Sequence, residues 1–217
     1  MNRSIPTAAA AASVVLVALA GVLFLAGCSS PAPSQAPRRP APSPSAATTG
    51  GAVAVQQPVP AETNPPGDIP DNQAFVTYAA AGGFSVKVPE GWSRTESPAG
   101  AEFTDKLNTI RVAWSAVSAA PTVASVNSVD VPKLKASEAA FELVSVKAVH
   151  LPAGSAVLTV YRENSAANTV TGKQYRLDVE RYTVFKNGKR VDLILLSPVG
   201  SDNVDPWRIV SQSLTWK

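Results

Sequence analysis

The stretch KQYRLDVERYTVFKNGKRVDLILL, residues 173–196, decides the fold, because alternating apolar and polar residues lie on both sides of Asn187-Gly188. Alternation with a period of two predicts a strand that buries one face. Asn-Gly favours the tight turn of a β-hairpin, since both central residues tolerate positive φ angles. The stretch therefore predicts two antiparallel strands, 173–185 and 189–196, joined by a two-residue turn.

Shorter alternating runs predict further hairpins toward the N-terminus. The predicted strand pairs are 75–78 with 84–88, 102–104 with 109–115, and 141–150 with 156–162. A short helix is predicted to begin at Val131-Pro132, because proline is tolerated in a first helical turn. These elements together predict an α+β fold, an antiparallel β-sheet with one or two helices packed on it.

The second predicted helix lies near the C-terminus. Asp205-Pro206 predicts an N-cap followed by proline at the first helical position. The apolar residues predicted to line one face of this helix are Val204, Trp207, Val210 and Leu214. Residues 214–217 are expected to return to the sheet.

The N-terminus carries an export signal. Arg3 supplies a positive charge, and residues 8–25 form an apolar segment. The next residues complete the motif Leu25-Ala26-Gly27-Cys28, which resembles the bacterial lipobox. The resemblance implies that the peptidase recognises Leu25, Ala26 and Gly27, that residues 1–27 are removed, and that Cys28 is acylated.

Two alternatives to lipidation stay open for this segment. The apolar run approaches the roughly 20 residues that span a bilayer, so an uncleaved anchor would also be compatible with it. An ordinary signal peptide would leave Cys28 as a free thiol, which is a liability in an exported chain. Lipidation gives this single cysteine a role, and two acyl chains would hold the protein at the membrane.

The chain after the cysteine has a biased composition. Eleven of the nineteen prolines lie between Ser29 and Pro70, among Ala, Ser and Gln residues. Such a segment buries too little apolar surface to offset its ordering entropy. The sequence therefore predicts three parts: a signal peptide at 1–27, an acylated cysteine with a disordered tether at 28–70, and a globular domain at 71–217.

Three segments carry a resemblance to known families. They are the entry GFSVKVPEGW at 83–92, the strand end Glu180-Arg181-Tyr182, and the closing DNVDPWRIV at 202–210. They resemble small actinobacterial secreted lipoproteins, and are more loosely similar to the LpqN/LpqT lipoproteins with a PsbP-like fold. The resemblance implies a PsbP-like sandwich and a place in the cell envelope, and it brings no catalytic motif.

No segment predicts a specific chemistry. The formal charge of +3 is too small to indicate a nucleic-acid partner, and one histidine and one cysteine leave no metal-ligand spacing. His150 would have to serve any serine-based triad, yet it ends an amphipathic strand and is expected to be structural. Neither a cofactor, a metal nor a set of catalytic residues is predicted. A ligand groove lined by Trp114 and Trp207 is a weaker hypothesis.

Charged residues of the main hairpin form the candidate partner-binding face. Arg176, Asp178 and Glu180 alternate along one strand, and Asp192 lies on the strand across the Asn-Gly turn. Such alternation also suits a plain solvated face with cross-strand ion pairs.

The predicted function is that of a lipoprotein on the extracytoplasmic face of the cell membrane, held there by its lipid anchor. Its domain would bind a protein, lipid or cell-wall partner without catalysis. The alternative is a cell-envelope enzyme with a site built from Glu, Asp and Ser residues.

Overall fold

The computed structural model describes residues 56–63 and 66–217. The predicted signal peptide, Cys28 and the tether up to residue 55 lie outside them. The strands are β1 Phe75–Ala80, β2 Phe84–Pro89, β3 Ser93–Ser97, β4 Gly100–Asp105, β5 Asn108–Ala116, β6 Glu142–Leu151, β7 Gly154–Asn164, β8 Arg176–Lys186, β9 Lys189–Pro198 and β10 Thr215–Trp216. The helices are α1 Val123–Ser125, a π-helical turn Val126–Asp130, α2 Val131–Ser137 and α3 Val204–Gln212.

A seven-stranded antiparallel sheet contains the predicted main hairpin. Its strand order is β3-β4-β5-β9-β8-β7-β6. Lys186 pairs with Lys189 across the turn, and Asn187 and Gly188 have φ angles of 51° and 76°. Positive φ at both turn residues matches the right-handed twist of the flanking strands. The hairpin predicted from residues 173–196 is confirmed, and β9 lies at the centre of the sheet.

Each face of this sheet packs against a different layer. The larger core joins Val191, Leu193 and Leu195 of β9 to Phe84 of the small sheet and to Trp207 of α3. The small sheet has the order β1-β2-β10. Since side chains alternate between faces, the other β9 residues point to the opposite layer.

The second core is smaller and lies beneath α2. It joins Leu134 of α2 to Ile194 and Leu196 of β9 and to Tyr161 and Val179 of the neighbouring strands. Antiparallel strands with a small sheet and short helices packed on them confirm the predicted α+β class.

Two elements were not predicted from the sequence. All five residues of β3 are exposed, so the strand shows no apolar alternation. The helical segment before α2 begins at Val123, eight residues earlier than expected. Thr122 and Ser125 form a reciprocal capping box there, which satisfies backbone donors that the first turn leaves free.

The start of α3 corrects the predicted N-cap. Asn203 is the N-cap residue and Asp205 lies inside the first turn. The apolar face is formed by Trp207, Val210 and Leu214, whereas Val204 is 73% exposed. Asn203 makes no side-chain cap bond, because its amide is used in a buried network.

That network includes residues upstream of Asp71. Asn203 accepts a bond from the Ile69 backbone N–H at 2.8 Å and donates to the Gly67 carbonyl at 2.9 Å. Asn108 donates to the same carbonyl at 2.8 Å. Ile69 is buried in the larger core. The sequence boundary at 70/71 leaves these contacts out, so the packed chain begins upstream of it.

Within the residues that the structure describes, no helix is long and apolar enough to cross a membrane.

Candidate binding groove between strand β8 and helix α3

The structure does not bring the four predicted face residues together. Paired residues of the main hairpin have numbers that add up to 375, so Asp192 lies opposite Thr183. Arg176, Asp178 and Glu180 have even numbers and point to the other side of the sheet from Thr183 and Asp192. The prediction of one face with all four residues is therefore wrong. The two-residue turn already contained this parity.

Arg176 has an internal structural role. Its side chain is 5% exposed. Its guanidinium donates to the Ala140 carbonyl at 2.8 Å, to Asn164 at 3.2 Å and to Glu142 at 2.8 Å. Arg176 thereby fastens the beginning of β6 and the end of β7 to β8. It offers little surface to a partner.

Asp192 is buried on the face that α2 covers. Arg181 and Arg190 contact its carboxylate at 3.0 and 2.9 Å, and Thr183 donates to it at 2.6 Å. Burial alone would raise the pKa of Asp192, but the two guanidinium groups outweigh it and the pKa lies below its usual value. Arg190 also contacts Asp130. This cluster ties the helical segment to the sheet.

Asp178 and Glu180 line a groove between β8 and α3. The groove has a volume of about 350 Å³. Its strand side is formed by Asp178, Glu180 and Tyr182 of β8 with Ser197 of β9, and its helix side includes Trp207, Arg208 and Ser211. Two of the four predicted face residues thus share one concave surface.

Hydrogen bonds order the strand side of the groove. The Tyr182 hydroxyl donates to Glu180 Oε2 at 2.6 Å. Burial, and after it this bond to Glu180, raises the pKa of the Tyr182 phenol, so the hydroxyl keeps its proton at neutral pH. Asp178 accepts a bond from Arg162 Nε at 2.8 Å. The polar groups of the strand side are therefore held in defined positions.

The helix side is fixed by contacts at both ends of α3. Asn203 holds the N-terminus through the buried network described above. Trp207 packs edge to face against Trp92, with ring centroids 6.4 Å apart. Val210 and Leu214 are fully buried. A wall held in this way keeps the groove open without a bound ligand.

Two other sequence hypotheses place residues outside this groove. Trp114 lies on β5 and packs edge to face against Phe84, with centroids 5.7 Å apart, so only Trp207 of the hypothesised aromatic pair lines the groove. His150 is exposed on β6. Among the described residues, no group of three His, Cys, Asp or Glu side chains could hold a metal ion.

Sequence reasoning missed Tyr182 and Ser197 as groove residues. Tyr182 follows Asp178 and Glu180 at the same two-residue spacing, and Ser197 pairs with Asp178. Alternation and the turn parity could have found both. The helix side carries no such signal, because the position of α3 depends on contacts with Gly67, Ile69 and Asn108, which are distant in sequence.

No protein-family model and no curated protein matches the chain. Similar solved structures include the cyanobacterial PsbP protein CyanoP from Synechocystis sp. PCC 6803, at 14% identity and a TM-score of 0.48, covering 70% of this chain and 98% of that one. The Ran-binding protein Mog1p from Saccharomyces cerevisiae is 10% identical with a TM-score of 0.44, covering 67% and 96%.

A protein of unknown function from Pseudomonas aeruginosa, PA94, is also similar. It is 12% identical with a TM-score of 0.42, and the match covers 66% of this chain and 97% of that one. A PsbP protein is thus among the structures that this chain resembles. The binding activity of Mog1p is a property of that protein, and we transfer no activity or partner to this chain.

Proposed function

We propose that the protein is a lipoprotein of the extracytoplasmic face of the cell membrane, and that its folded part binds a ligand in the groove between β8 and α3. The observation that carries the binding role is the uncompensated carboxylate of Glu180, held by Tyr182 within a concave surface. A rigid pocket with a few convergent polar groups is typical of ligand sites.

The anchor part of the proposal rests on the sequence. Leu25-Ala26-Gly27-Cys28 follows an apolar segment at the position where bacterial lipoproteins are processed. The resemblance to the LpqN/LpqT lipoproteins supports the same location. Acylated Cys28 would tether the domain near a protein, lipid or cell-wall partner.

Binding suits the groove better than catalysis. A serine nucleophile needs a base within hydrogen-bond reach. In the groove, the Ser211 hydroxyl faces the Arg208 carbonyl at 3.4 Å, while Glu180 already accepts the Tyr182 proton donor. His150 lies on β6, outside the groove lining. We therefore place the enzyme alternative second.

The anchor is tested by replacing Cys28 with alanine. We expect the wild-type protein to partition into the detergent phase and the Cys28→Ala variant to leave it, because the variant has no thiol to acylate. Phase partitioning of membranes, with mass spectrometry of the N-terminal peptide, measures this. Ser29→Ala is the matched control and should behave as wild type.

A Cys28→Ala protein that is processed and still enters the detergent phase would show that the lipobox interpretation is wrong. The binding role of the groove would remain to be judged by the ligand experiment described next.

A further inference from the structure

Glu180 is the charged group of the groove that lacks a counter-ion. Three charged side chains line the groove: Asp178, Glu180 and Arg208. Asp178 is paired with Arg162 at 2.8 Å, and Arg208 with Asp205 at 2.9 Å. Within residues 56–63 and 66–217, no cationic side chain forms a salt bridge with Glu180. A ligand that neutralises this carboxylate would therefore be cationic.

The acceptor geometry selects among cations. Glu180 Oε2 is occupied by the Tyr182 hydroxyl, which leaves one carboxylate oxygen for a ligand. A guanidinium gains most from two parallel bonds to both oxygens of a carboxylate. An ammonium group is a point charge with three donors, and it needs only one oxygen from each partner. The groove thus favours an ammonium over a guanidinium.

Further acceptors lie within reach of the same group. Asp178 and Glu180 are two residues apart on one strand face, about 7 Å along the strand. Ser197 pairs with Asp178 on the neighbouring strand. An ammonium near Glu180 can therefore donate a second bond toward Ser197 or the free oxygen of Asp178.

The helix side offers an apolar surface for the rest of the ligand. Val204 and Trp207 line the groove opposite the carboxylates. A short aliphatic chain packs on such a surface while its charged end reaches polar groups. The volume of about 350 Å³ lies near the lower limit of ligand pockets. It suits a group the size of one amino-acid side chain.

From these contacts we infer that the groove binds a primary ammonium group on a short aliphatic chain, which specifies the ligand class of the proposed binding function and rests on it. The ammonium bonds to the free oxygen of Glu180, and the chain lies along Trp207. A free alkylamine and a lysine side chain in a peptide share this chemistry.

Titration of the full chain in detergent tests the inference. The probes are Nα-acetyl-lysine methylamide, its uncharged counterpart Nα-acetyl-norleucine methylamide, butylamine and calcium chloride. Binding is followed by NMR shifts of the Trp207 indole and of backbone amides in β8. We expect saturable shifts with one or both amines, with a Kd on the order of millimolar for so small a ligand, and none with the norleucine derivative.

Glu180→Gln keeps the size and the Tyr182 acceptor but removes the charge. We expect it to weaken amine binding about tenfold, whereas Glu102→Gln, which changes a carboxylate on β4 outside the groove, should bind as wild type. Binding of butylamine as tight as that of the lysine derivative points to a free amine. Binding of the lysine derivative alone points to a peptide.

Three results would overturn the inference: no saturable shift in the groove, equal affinity in the Glu180→Gln protein, or calcium acting on the same residues at lower concentration than either amine. The Glu180→Gln protein must unfold like wild type for the comparison to count, and its melting curve shows this. None of these outcomes depends on Cys28, so a failed anchor and a failed ligand assignment remain distinguishable.

Discussion

Glu163 is a buried carboxyl group beneath the end of α2. It lies near the end of β7, is 9% exposed, and its Oε2 atom has no hydrogen-bond partner in the described part of the chain. Burial, and after it the nearby Glu138 carboxylate, raises the pKa of Glu163 to about 7, although Arg111 and Arg176 oppose the shift. The folded protein therefore holds a proton here that the unfolded chain loses near its ordinary pKa of 4.5.

This proton makes the free energy of unfolding depend on pH. Because the folded-state pKa is the higher one, the stabilisation is fully present below about pH 4.5 and is lost as the pH rises to about 7. The loss is at most about 3 kcal/mol. Urea unfolding at pH 5, 6, 7 and 8 measures it. Glu163→Gln should flatten this dependence, and the exposed Glu90→Gln should leave it as in wild type. A wild-type slope in Glu163→Gln would contradict the assignment.

Strand β6 is an open edge of the seven-stranded sheet. It is ten residues long, and its exposed side chains include Leu143, Val144 and Lys147. The pairing with β7 shifts register between Leu143 and Ser145. A long apolar edge invites pairing with another chain, and natural proteins prevent it with lysines and bulges. The opposite edge, β3, carries the ion pair of Arg94 and Glu96.

We expect Lys147→Val to increase self-association, because it removes the charge in the middle of this edge. Sedimentation velocity over a range of protein concentrations measures the effect. Lys186→Val is the matched control, since it removes the same charge from β8, which pairs with β7 and β9 on its two sides. Should the Lys147→Val protein sediment like wild type at every concentration, the bulge alone would protect the edge.

At the scale of the whole molecule, the segment before β1 connects parts that are distant in sequence. Gly67 and Ile69 bond to Asn108 of β5 and to Asn203 at the start of α3. Further upstream, Val59 donates to Asn164 at the end of β7, at 3.1 Å. These contacts make part of the proline-rich region a component of the folded domain.

Removing this segment should destabilise the protein. A chain that starts at Asp71 loses the buried Ile69 side chain, worth roughly 2 kcal/mol, and leaves the Asn108 and Asn203 amides short of partners. For a domain of this size we expect the melting temperature to fall by about 5–15 °C. Calorimetry compares it with a chain that starts at Gln56 and keeps the contacts. Equal midpoints would show that the segment adds no stability.

The sequence by itself determined the strands and the turns between them. Alternation and Asn187-Gly188 act between neighbouring residues, so their effect does not depend on the rest of the molecule. For this reason, residues 173–196 predicted the central hairpin. The exposed strand β3 escaped prediction because a polar edge strand needs no apolar residues.

The tertiary structure decided the site. Asn203 became the N-cap because Gly67, Ile69 and Asn108 engage its amide across as many as 136 residues of sequence. Asp192 became buried because a sheet packed on both faces leaves no solvated side for it. Asp178 and Glu180 form a groove only because α3 lies over them. Long-range packing sets each of these positions, and no local pattern in the sequence records it.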